Sequence, residues 1–318
     1  MKNLTKAETA EFLSSHDHFC ILSHRRPDGD TIGSSAALCR GLRLLGKTAH
    51  VLRNGEVSQR FQWLHEGLTK ESYEEGDTVV SVDVASPGML PEDFKPLLGH
   101  IDLRIDHHGS ATSFTELELV EPGSASCAEM IWDILRMMGM EPDKDVAEAV
   151  YVGASTDTGC FRFANTNAHT FATAADCAAA GARIYQINQD LFETNSLGRL
   201  RMQAWIVENI KMLRCGSMAV CAIPRAVEQE IGVTEDDMDN ISSFPRTVAG
   251  VCMAATLRET KDGDCKLSVR AVPGYDATKI AVRFGGGGHK GAAGASIKLP
   301  LSEAARAVEE IMLEGCCG

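Results

Sequence analysis

The chain has 318 residues, 44% apolar and 24% charged, and its 44 acidic side chains outnumber 31 basic ones to give a net charge of −13. That length favours two cores over one, and the composition is ordinary for a globular protein in water. So acidic a balance excludes a protein that grips long duplex nucleic acid by neutralising phosphates, although a small phosphate ligand at a local cationic site stays open.

No apolar run approaches the roughly 18 to 20 residues needed to span a bilayer, and the opening "MKNLTKAETAEFLSS" has no apolar stretch of signal-peptide length. Membrane attachment is therefore not expected. Eleven cysteines occur without a CxxC pair, only Cys316 and Cys317 being adjacent. Scattered thiols of this kind read as reduced, buried side chains of a cytoplasmic protein.

Thr5 and Glu8 form a capping box that opens a first helix. "FCILS" (19–23) reads as a buried strand, and the loop after it feeds a helix from about Thr31 to Leu45. That helix puts Ile32, Ala36, Cys39 and Leu42 on one stripe and stops at Gly46. "TAHVL" (48–52), "TVVSVD" (78–83) and "IDLRID" (101–106) are further short strands. Two helices follow near 124–138 and 145–156, then "STDTGCFRF" (155–163), then a helix near 167–181. A helical segment from Leu197 to Leu213, with Gly198 its one glycine, looks like a connector. Beyond it come strands near 218–223, 248–257 and 265–272, a short helix near 276–284, the loop "GGGGHKGAAG" (285–294), a strand, and a closing helix from Ser302. Strands alternating with helices predict an α/β fold with a parallel sheet covered on both faces.

The acids Asp28, Asp83 and Asp106 each fall at or just beyond the C-terminal end of a predicted strand, the edge where open α/β sheets bind ligands. Gathering the ligand-type side chains there gives His24, Asp28, Asp30, Asp83, Asp106, His107 and His108, with Asp157 from the later loop. Four or five carboxylates in one crevice repel one another without counter-charge, and two divalent cations supply it. Carboxylate and imidazole without thiolate suit Mn²⁺ first, with Mg²⁺, Zn²⁺ or Fe²⁺ as alternatives. Two such ions roughly 3.5–4 Å apart are suited to in-line attack on phosphorus. Asp28 and Asp30 could then each face a different ion.

Four consecutive glycines before His289 weaken helix and strand alike. What they offer is backbone N–H groups that can approach an anion, with His289 and Lys290 at the rim. A merely flexible loop is the plainer alternative.

These motifs resemble the DHH phosphoesterase superfamily. "HRRPDGD" (24–30), "SVDVAS" (81–86), "IDHHGS" (105–110) and "STDTGCF" (155–161) are similar to its four motifs in order, and "RFGGGGHKGAAG" (283–294) is similar to the glycine-rich signature of a DHHA1 domain. Size and domain order resemble the RecJ-like branch of nanoRNases and pAp phosphatases. The resemblance implies a DHH catalytic domain over 1–190, a helical connector over 191–215 and a smaller α/β DHHA1 domain over 216–318, with the active site in the cleft between domains. It implies that His24 and Asp28 bind one metal, that Asp30, His107 and Asp157 bind the other, and that Asp83 bridges both. Asp106 would accept from a ligand histidine and fix its tautomer, and His108 would face the phosphate as donor or general acid. Gly286, Gly287, Gly288, His289, Lys290 and Arg270 would hold substrate, Arg270 by bidentate contact with phosphate. Arg162 could bind substrate or pair with a surface acid, Arg270 could be an ordinary strand ion pair, and Asp157 could belong to a helix-ending turn. His65, His100 and His169, without acidic partners in motif spacing, read as surface or structural.

Two positions depart from the family pattern. Thr31 stands where many relatives have a small apolar residue, and Ala111 where they often carry Asn. The implied activity is hydrolysis of short oligoribonucleotides to mononucleotides, or of pAp to AMP and phosphate. Alternatives are a cyclic or linear dinucleotide phosphodiesterase of c-di-AMP or pApA type, a RecJ-like single-strand exonuclease, and a non-catalytic nucleotide sensor. The sequence leaves room for a homodimer.

Overall fold

In a computed structural model of the protein, which describes residues 2–109, 112–238 and 240–315, the chain divides into two units, Met1–Thr194 and Asn195–Gly318. Among the described residues no helix is long and apolar enough to cross a membrane.

The first unit runs β1 (Lys2–Asn3), α1 (Lys6–Ser15), β2 (Phe19–Leu22), α2 (Gly29–Leu44), β3 (Ala49–Leu52), β4 (Thr69–Lys70), β5 (Thr78–Val82), β6 (Ile101–Asp106), β7 (Leu117–Val120), α3 (Cys127–Met137), α4 (Lys144–Asp157), α5 (Ala168–Ala179) and α6 (Ile184–Asn188). Its strands form one sheet in the order β1-β7-β6-β5-β2-β3-β4, with every pairing parallel. The continuous apolar run of β2 is buried along its whole length, as a strand covered on both faces should be. Alternate residues serve the two faces. Phe19, Ile21, Val51, Val80, Val82, Leu103 and Ile105 join the helices α1 to α4 in the larger core. Cys20, Leu22, Leu52, Val79 and Ile101 pack on the other face with Leu90 and Phe94. That second cover is made of 3-10 turns (Pro87–Met89 and Glu92–His100) rather than α-helix. Pro87, Pro91 and Pro96 explain this, since each removes a backbone donor that an α-helix needs.

Helix α2 begins at Gly29, two residues before the expected start, because Asp28 caps it: its Oδ1 accepts the N–H groups of Asp30 and Thr31, each at 3.1 Å. Helices α2 and α4 then cross backbone to backbone. A Cβ on Gly33 would land on the Ala149 carbonyl oxygen and 2.8 Å from Gly153 N. Only glycine allows that approach, which lays the end of α4 alongside the start of α2.

The second unit contains α7 (Leu197–Asn209), β8 (Lys211–Leu213), β9 (Met218–Ile223), α8 (Arg225–Ile231), β10 (Met253–Glu259), β11 (Cys265–Ala271), α9 (Thr278–Ala281), β12 (Gly287–His289), β13 (Ala292–Ile297) and α10 (Leu301–Gly315). The sheet order is β12-β13-β11-β10-β9-β8, mixed, with β9 and β10 its parallel pair. The segment expected as a connector ends as a helix at Asn209 and continues as strand β8, which pairs with β9. Met202 and Ile206 of α7 are fully buried against Cys221 and Ile223, so this helix belongs to the second unit's own packing. The strand expected from 248 starts at Met253, after a 3-10 turn over Ile241–Thr247.

The expected glycine loop is an edge hairpin: Gly287, Gly288 and His289 pair with Gly294, Ala293 and Ala292. A Cβ on Gly286 would meet the Gly294 carbonyl oxygen, and one on Gly288, at φ +141°, would sit 2.5 Å from that of Ala292. Two of the glycines are thus demanded by the hairpin itself.

Candidate metal centre

Strands β2, β5 and β6 finish along one edge of the first unit's sheet, and the ligand-type side chains follow directly. His24 lies two residues beyond β2, Asp83 one beyond β5, and His107 and His108 follow Asp106, the last residue of β6. Asp30 is in the first turn of α2 and Asp157 is the last residue of α4, rather than in a loop. The structure brings them into two groups that share Asp83: His24, Asp28 and Asp83, and Asp83 with His107 and His108, beside Asp30, His107 and Asp157.

Both ligand-type histidines are oriented from behind. His24 Nδ1 lies 2.8 Å from the Arg25 carbonyl and His107 Nδ1 lies 3.1 Å from that of Ser124. A carbonyl only accepts, so each Nδ1 carries a proton and each ring turns its Nε2 to the site. His24 Nε2 then faces Asp28 Oδ1 at 3.8 Å and Asp83 Oδ2 at 3.7 Å. His107 Nε2 faces Asp30 Oδ2 at 3.6 Å, Asp83 Oδ1 at 3.6 Å and Asp157 Oδ2 at 3.5 Å. These separations are too long for hydrogen bonds. They suit two ligands on one ion, each bonded at roughly 2.0–2.2 Å.

The carboxylates carry the same message. Among the described residues Asp83 Oδ1 is buried without a hydrogen-bond partner, while Oδ2 accepts from Thr31 Oγ1 at 2.6 Å. An orphaned, buried carboxylate oxygen between two imidazoles is costly unless a cation completes it. Burial, followed by the charges of Asp30 and Asp28, pushes the Asp83 carboxyl well above the usual range. Burial and neighbouring Asp30 push Asp157 up to about 7. Asp30 is also raised, mainly by burial. Its oxygens accept from the first N–H groups of α3, at 2.7 Å from Cys127 and 3.0 Å from Ala128, which fixes the group for ligation. Asp83 holds φ +58°, the left-handed region that non-glycine residues avoid, and strain of this sort is common at ligand sites. The residues present therefore fit a pair of divalent cations.

Asp106 departs from its expected part. Its Oδ1 accepts from the backbone of His107 and His108 and, at 2.8 Å, from His108 Nδ1. It therefore orients His108, whereas backbone carbonyls set the tautomers of His24 and His107. Burial opposes its charge, yet the His108 hydrogen bond holds the Asp106 carboxyl below its usual value, and the same bond raises His108. Beneath lies Arg104, 1% exposed, 3.4 Å from Asp106 Oδ2 and 3.5 Å from Glu118 Oε2, donating to the Thr112 carbonyl at 2.8 Å. Sequence reasoning missed Arg104. Its signal was a lone arginine inside the apolar strand "IDLRID". It also missed the supporting roles of Thr31 and the α3 N-terminus, the latter marked by Ser126, whose side chain caps Glu129 N. Ala111 lies outside the described residues.

Arg162 donates from Nε to the Gly159 carbonyl at 2.5 Å and is exposed. His169 is exposed and pairs with Asp133, 36 residues away, at 3.0 Å, and His65 is buried against Ser35 Oγ at 2.8 Å. In the second unit, Arg270 donates to Ser243 Oγ at 3.3 Å and to the Val269 carbonyl at 3.2 Å. Among the described residues it has no carboxylate partner, so the ion-pair alternative fails. Burial and nearby Arg246 hold its guanidinium below the usual value. His289 and Lys290 follow on the edge hairpin, where Gly287 faces open space.

Comparison with known proteins places two family models on the chain: the DHH family, N-terminal domain, over residues 18–154, and the DHHA1 domain over residues 217–314. A bifunctional oligoribonuclease and PAP phosphatase NrnA from Thermus thermophilus is 33% identical, over 92% of this chain and 89% of its own length. The protein of that name from Bacillus subtilis is 26% identical, over 92% and 93%. The crystal structure of an exopolyphosphatase-related protein from Bacteroides fragilis superposes with a TM-score of 0.88 over 97% of this chain and 95% of that one, at 23% identity, and so shares the fold. With both domain models in order and a third of the residues shared with a relative over nearly its full length, the chain belongs to the DHH family and carries a DHHA1 domain after its DHH domain.

Proposed function

We propose that the chain is a phosphoric ester hydrolase that uses two divalent cations, Mn²⁺ by preference and Mg²⁺ as substitute, to cut short oligoribonucleotides to mononucleotides and pAp to AMP and phosphate. The observation that carries the reading is Asp83, buried, orphaned at one oxygen and shared by two groups of imidazole and carboxylate ligands. The activities in the names of the Thermus and Bacillus relatives support the substrate class. When bound, such a cation pair lowers the pKa of a water and offsets negative charge on phosphoryl oxygens.

The protein's residues do the rest. His24 and Asp28 would hold one cation, Asp30, His107 and Asp157 the other, and Asp83 both. The Arg25 and Ser124 carbonyls accept from Nδ1 of the two imidazoles and so aim each Nε2 at the cations. Asp106 holds His108 by Nδ1 and raises its proton affinity, so Nε2 is free to carry a proton toward the phosphate and its leaving oxygen. In the DHHA1 domain, Arg270, unsatisfied by any described carboxylate, would grip a substrate phosphate, with Gly286, Gly287, Gly288, His289 and Lys290 beside it. Arg162 would add a contact. A net charge of −13 fits short substrates better than long duplexes. Nine described cysteines are free, six of them buried, which fits work in the reducing cytoplasm.

The test is a panel: protein with Mn²⁺ and, separately, a five-nucleotide RNA, pAp, linear and cyclic dinucleotides, and pyrophosphate. Mononucleotide from RNA and phosphate from pAp are expected. Release from neither would overturn the reading, and faster release from a dinucleotide would move the substrate to that class.

A further inference from the structure

The opposite end of the same sheet holds a second group of ligand-type side chains. Cys20 on β2 is in register with His50 on β3 and, across its other edge, with Val79 on β5. Asp77 lies two residues before Val79, so by strand alternation it projects from the same face as Cys20 and His50. One ligand atom from each of the three, thiol sulfur, imidazole nitrogen and carboxylate oxygen, lies within 4.8 Å of the others. Cys20 is fully buried and His50 is 2% exposed. Asp77's side chain is 5% exposed.

An ordinary packing role would have His50 hydrogen-bonded to Asp77. It is not. Among the described residues His50 Nε2 is buried without a hydrogen-bond partner, and it stands 3.6 Å from Asp77 Oδ2. Asp77 is meanwhile fixed, its Oδ2 accepting from Glu74 N at 2.9 Å, and has further lone pairs to give. The nearby cation Lys70 is paired with Glu74 at 2.7 Å, which leaves less positive charge to oppose a metal.

The structure assigns to Cys20, His50 and Asp77 a mononuclear site for a zinc-class dication, separate from the carboxylate–imidazole centre. A sulfur, nitrogen and oxygen donor set selects Zn²⁺ or Co²⁺ over Mn²⁺ or Mg²⁺. The fourth, tetrahedral position is left to water. Binding replaces the S–H bond of Cys20 by an S–metal bond and releases the proton to solvent. Burial pushes the free Cys20 thiol up to about 12, so the metal must displace that proton and binding strengthens as pH rises. Cys20 is the second residue of β2 and His24 lies two residues past its C-terminal end, roughly 13 Å away if the chain runs extended, so the two sites lie toward opposite ends of β2. Such an ion would tie β2, β3 and the turn before β5 together where the sheet begins.

The experiment uses full-length chain stripped of metal and titrated with Co²⁺, read by the thiolate-to-cobalt charge-transfer absorption. The carboxylate–imidazole ligands contain no thiolate and cannot give that band. A band saturating at one equivalent is expected, displaced by Zn²⁺ but not by Mn²⁺, absent in Cys20→Ser and retained in Asp83→Asn and Cys127→Ser. His50→Gln, a second route should Cys20→Ser fold poorly, is expected to weaken Co²⁺ binding at least tenfold. No band in the unmodified chain, a band that survives Cys20→Ser, or unchanged affinity in His50→Gln would overturn the assignment. Loss of the band in Asp83→Asn would place the thiolate at the other centre and overturn it too.

Discussion

Replacing Asp106 by Asn tests whether His108 works as an acid tuned by its neighbour. The amide keeps an oxygen for the N–H groups of His107 and His108, which lie 2.9 and 3.2 Å from Oδ1, and for His108 Nδ1 at 2.8 Å. Geometry is thereby kept while the charge is lost. A hydrogen bond to a charged partner contributes about 1.5–3 kcal/mol and a neutral one about 0.5–1.5, so the imidazolium loses on the order of 1.4 kcal/mol, or about one pKa unit. His108 is raised in the native protein by this bond. As the proton donor it supports turnover below its pKa and fails above it. The descending limb of kcat/KM against pH should therefore move about one unit toward acid in Asp106→Asn, measured with pAp at fixed Mn²⁺. Stability should also drop by about 3 kcal/mol, because the amide N–H replaces Oδ2 against buried Arg104, whose remaining acid is Glu118. A descending limb that stays in place while the rate falls would refute the tuning of His108 and leave Asp106 a purely structural support.

Thr31→Val removes the hydroxyl that donates to Asp83 Oδ2 and little else. Mn²⁺ affinity by calorimetry should fall roughly 10- to 100-fold, as for other groups that orient a ligand, and a fall under twofold would mean that Asp83 needs no such support. Gly153→Ala would drive a Cβ into Ala128 and to 2.8 Å from Asp30 Oδ1. It should cost about 1–3 kcal/mol by overpacking and weaken Mn²⁺ together with stability; an unchanged melting temperature would show that the helices yield. In the metal-free chain Asp157 is raised to about 7 against roughly 4 unfolded. The folded state then binds more protons in that window, so this group's stabilisation is complete below pH 4 and is lost as pH rises through 7. Relative to Asp157→Asn, the stripped chain should lose melting temperature from pH 4 to 7, and Mn²⁺ should restore more of it at the upper end; a flat difference would count against a buried Asp157. Arg270→Ala should raise KM for a five-nucleotide RNA by about tenfold, consistent with one charged contact of roughly 1.4 kcal/mol, and leave the melting temperature within a degree or two; equal KM values would remove Arg270 from the substrate site.

Much of the first unit was legible because its signals are local. The expected strands are short, mostly apolar segments with a turn behind them, Asp83 follows one directly, and Asp106 ends another just before His107 and His108. The capping box at Thr5 and Glu8 is read within four residues. What sequence reasoning lost depends on partners far along the chain. Strand β7, "LELV", carries Glu118 inside it, and that acid makes sense only beside Arg104 of β6. The glycines at 286 and 288 read only as an anion cradle, and the carbonyls of β13 that also require them lie across a hairpin that the sequence does not display. Asp106 looked like a partner for a ligand histidine, and only the geometry shows that its partner is His108.

The parallel sheet explains why ligands gather at both of its ends. In-register pairing sets Cys20 beside His50 and Leu22 beside Ser81, although 30 and 59 positions separate them in the chain. Residues just past the C-terminal ends of β2, β5 and β6 inherit the same alignment, and α2 and α3 begin there. Their free N–H groups hold Asp28 and Asp30 in place, which lets two acids sit one residue apart without collapse. Among the described residues no α-helix begins beside Asp77 at the N-terminal ends to receive its charge. The acid there, Asp77, accepts from Glu74 N and faces buried His50, whose Nε2 stands 3.6 Å away. The asymmetry of helix starts therefore assigns carboxylate-rich chemistry to one edge of the sheet and leaves the other to a mixed sulfur, nitrogen and oxygen set.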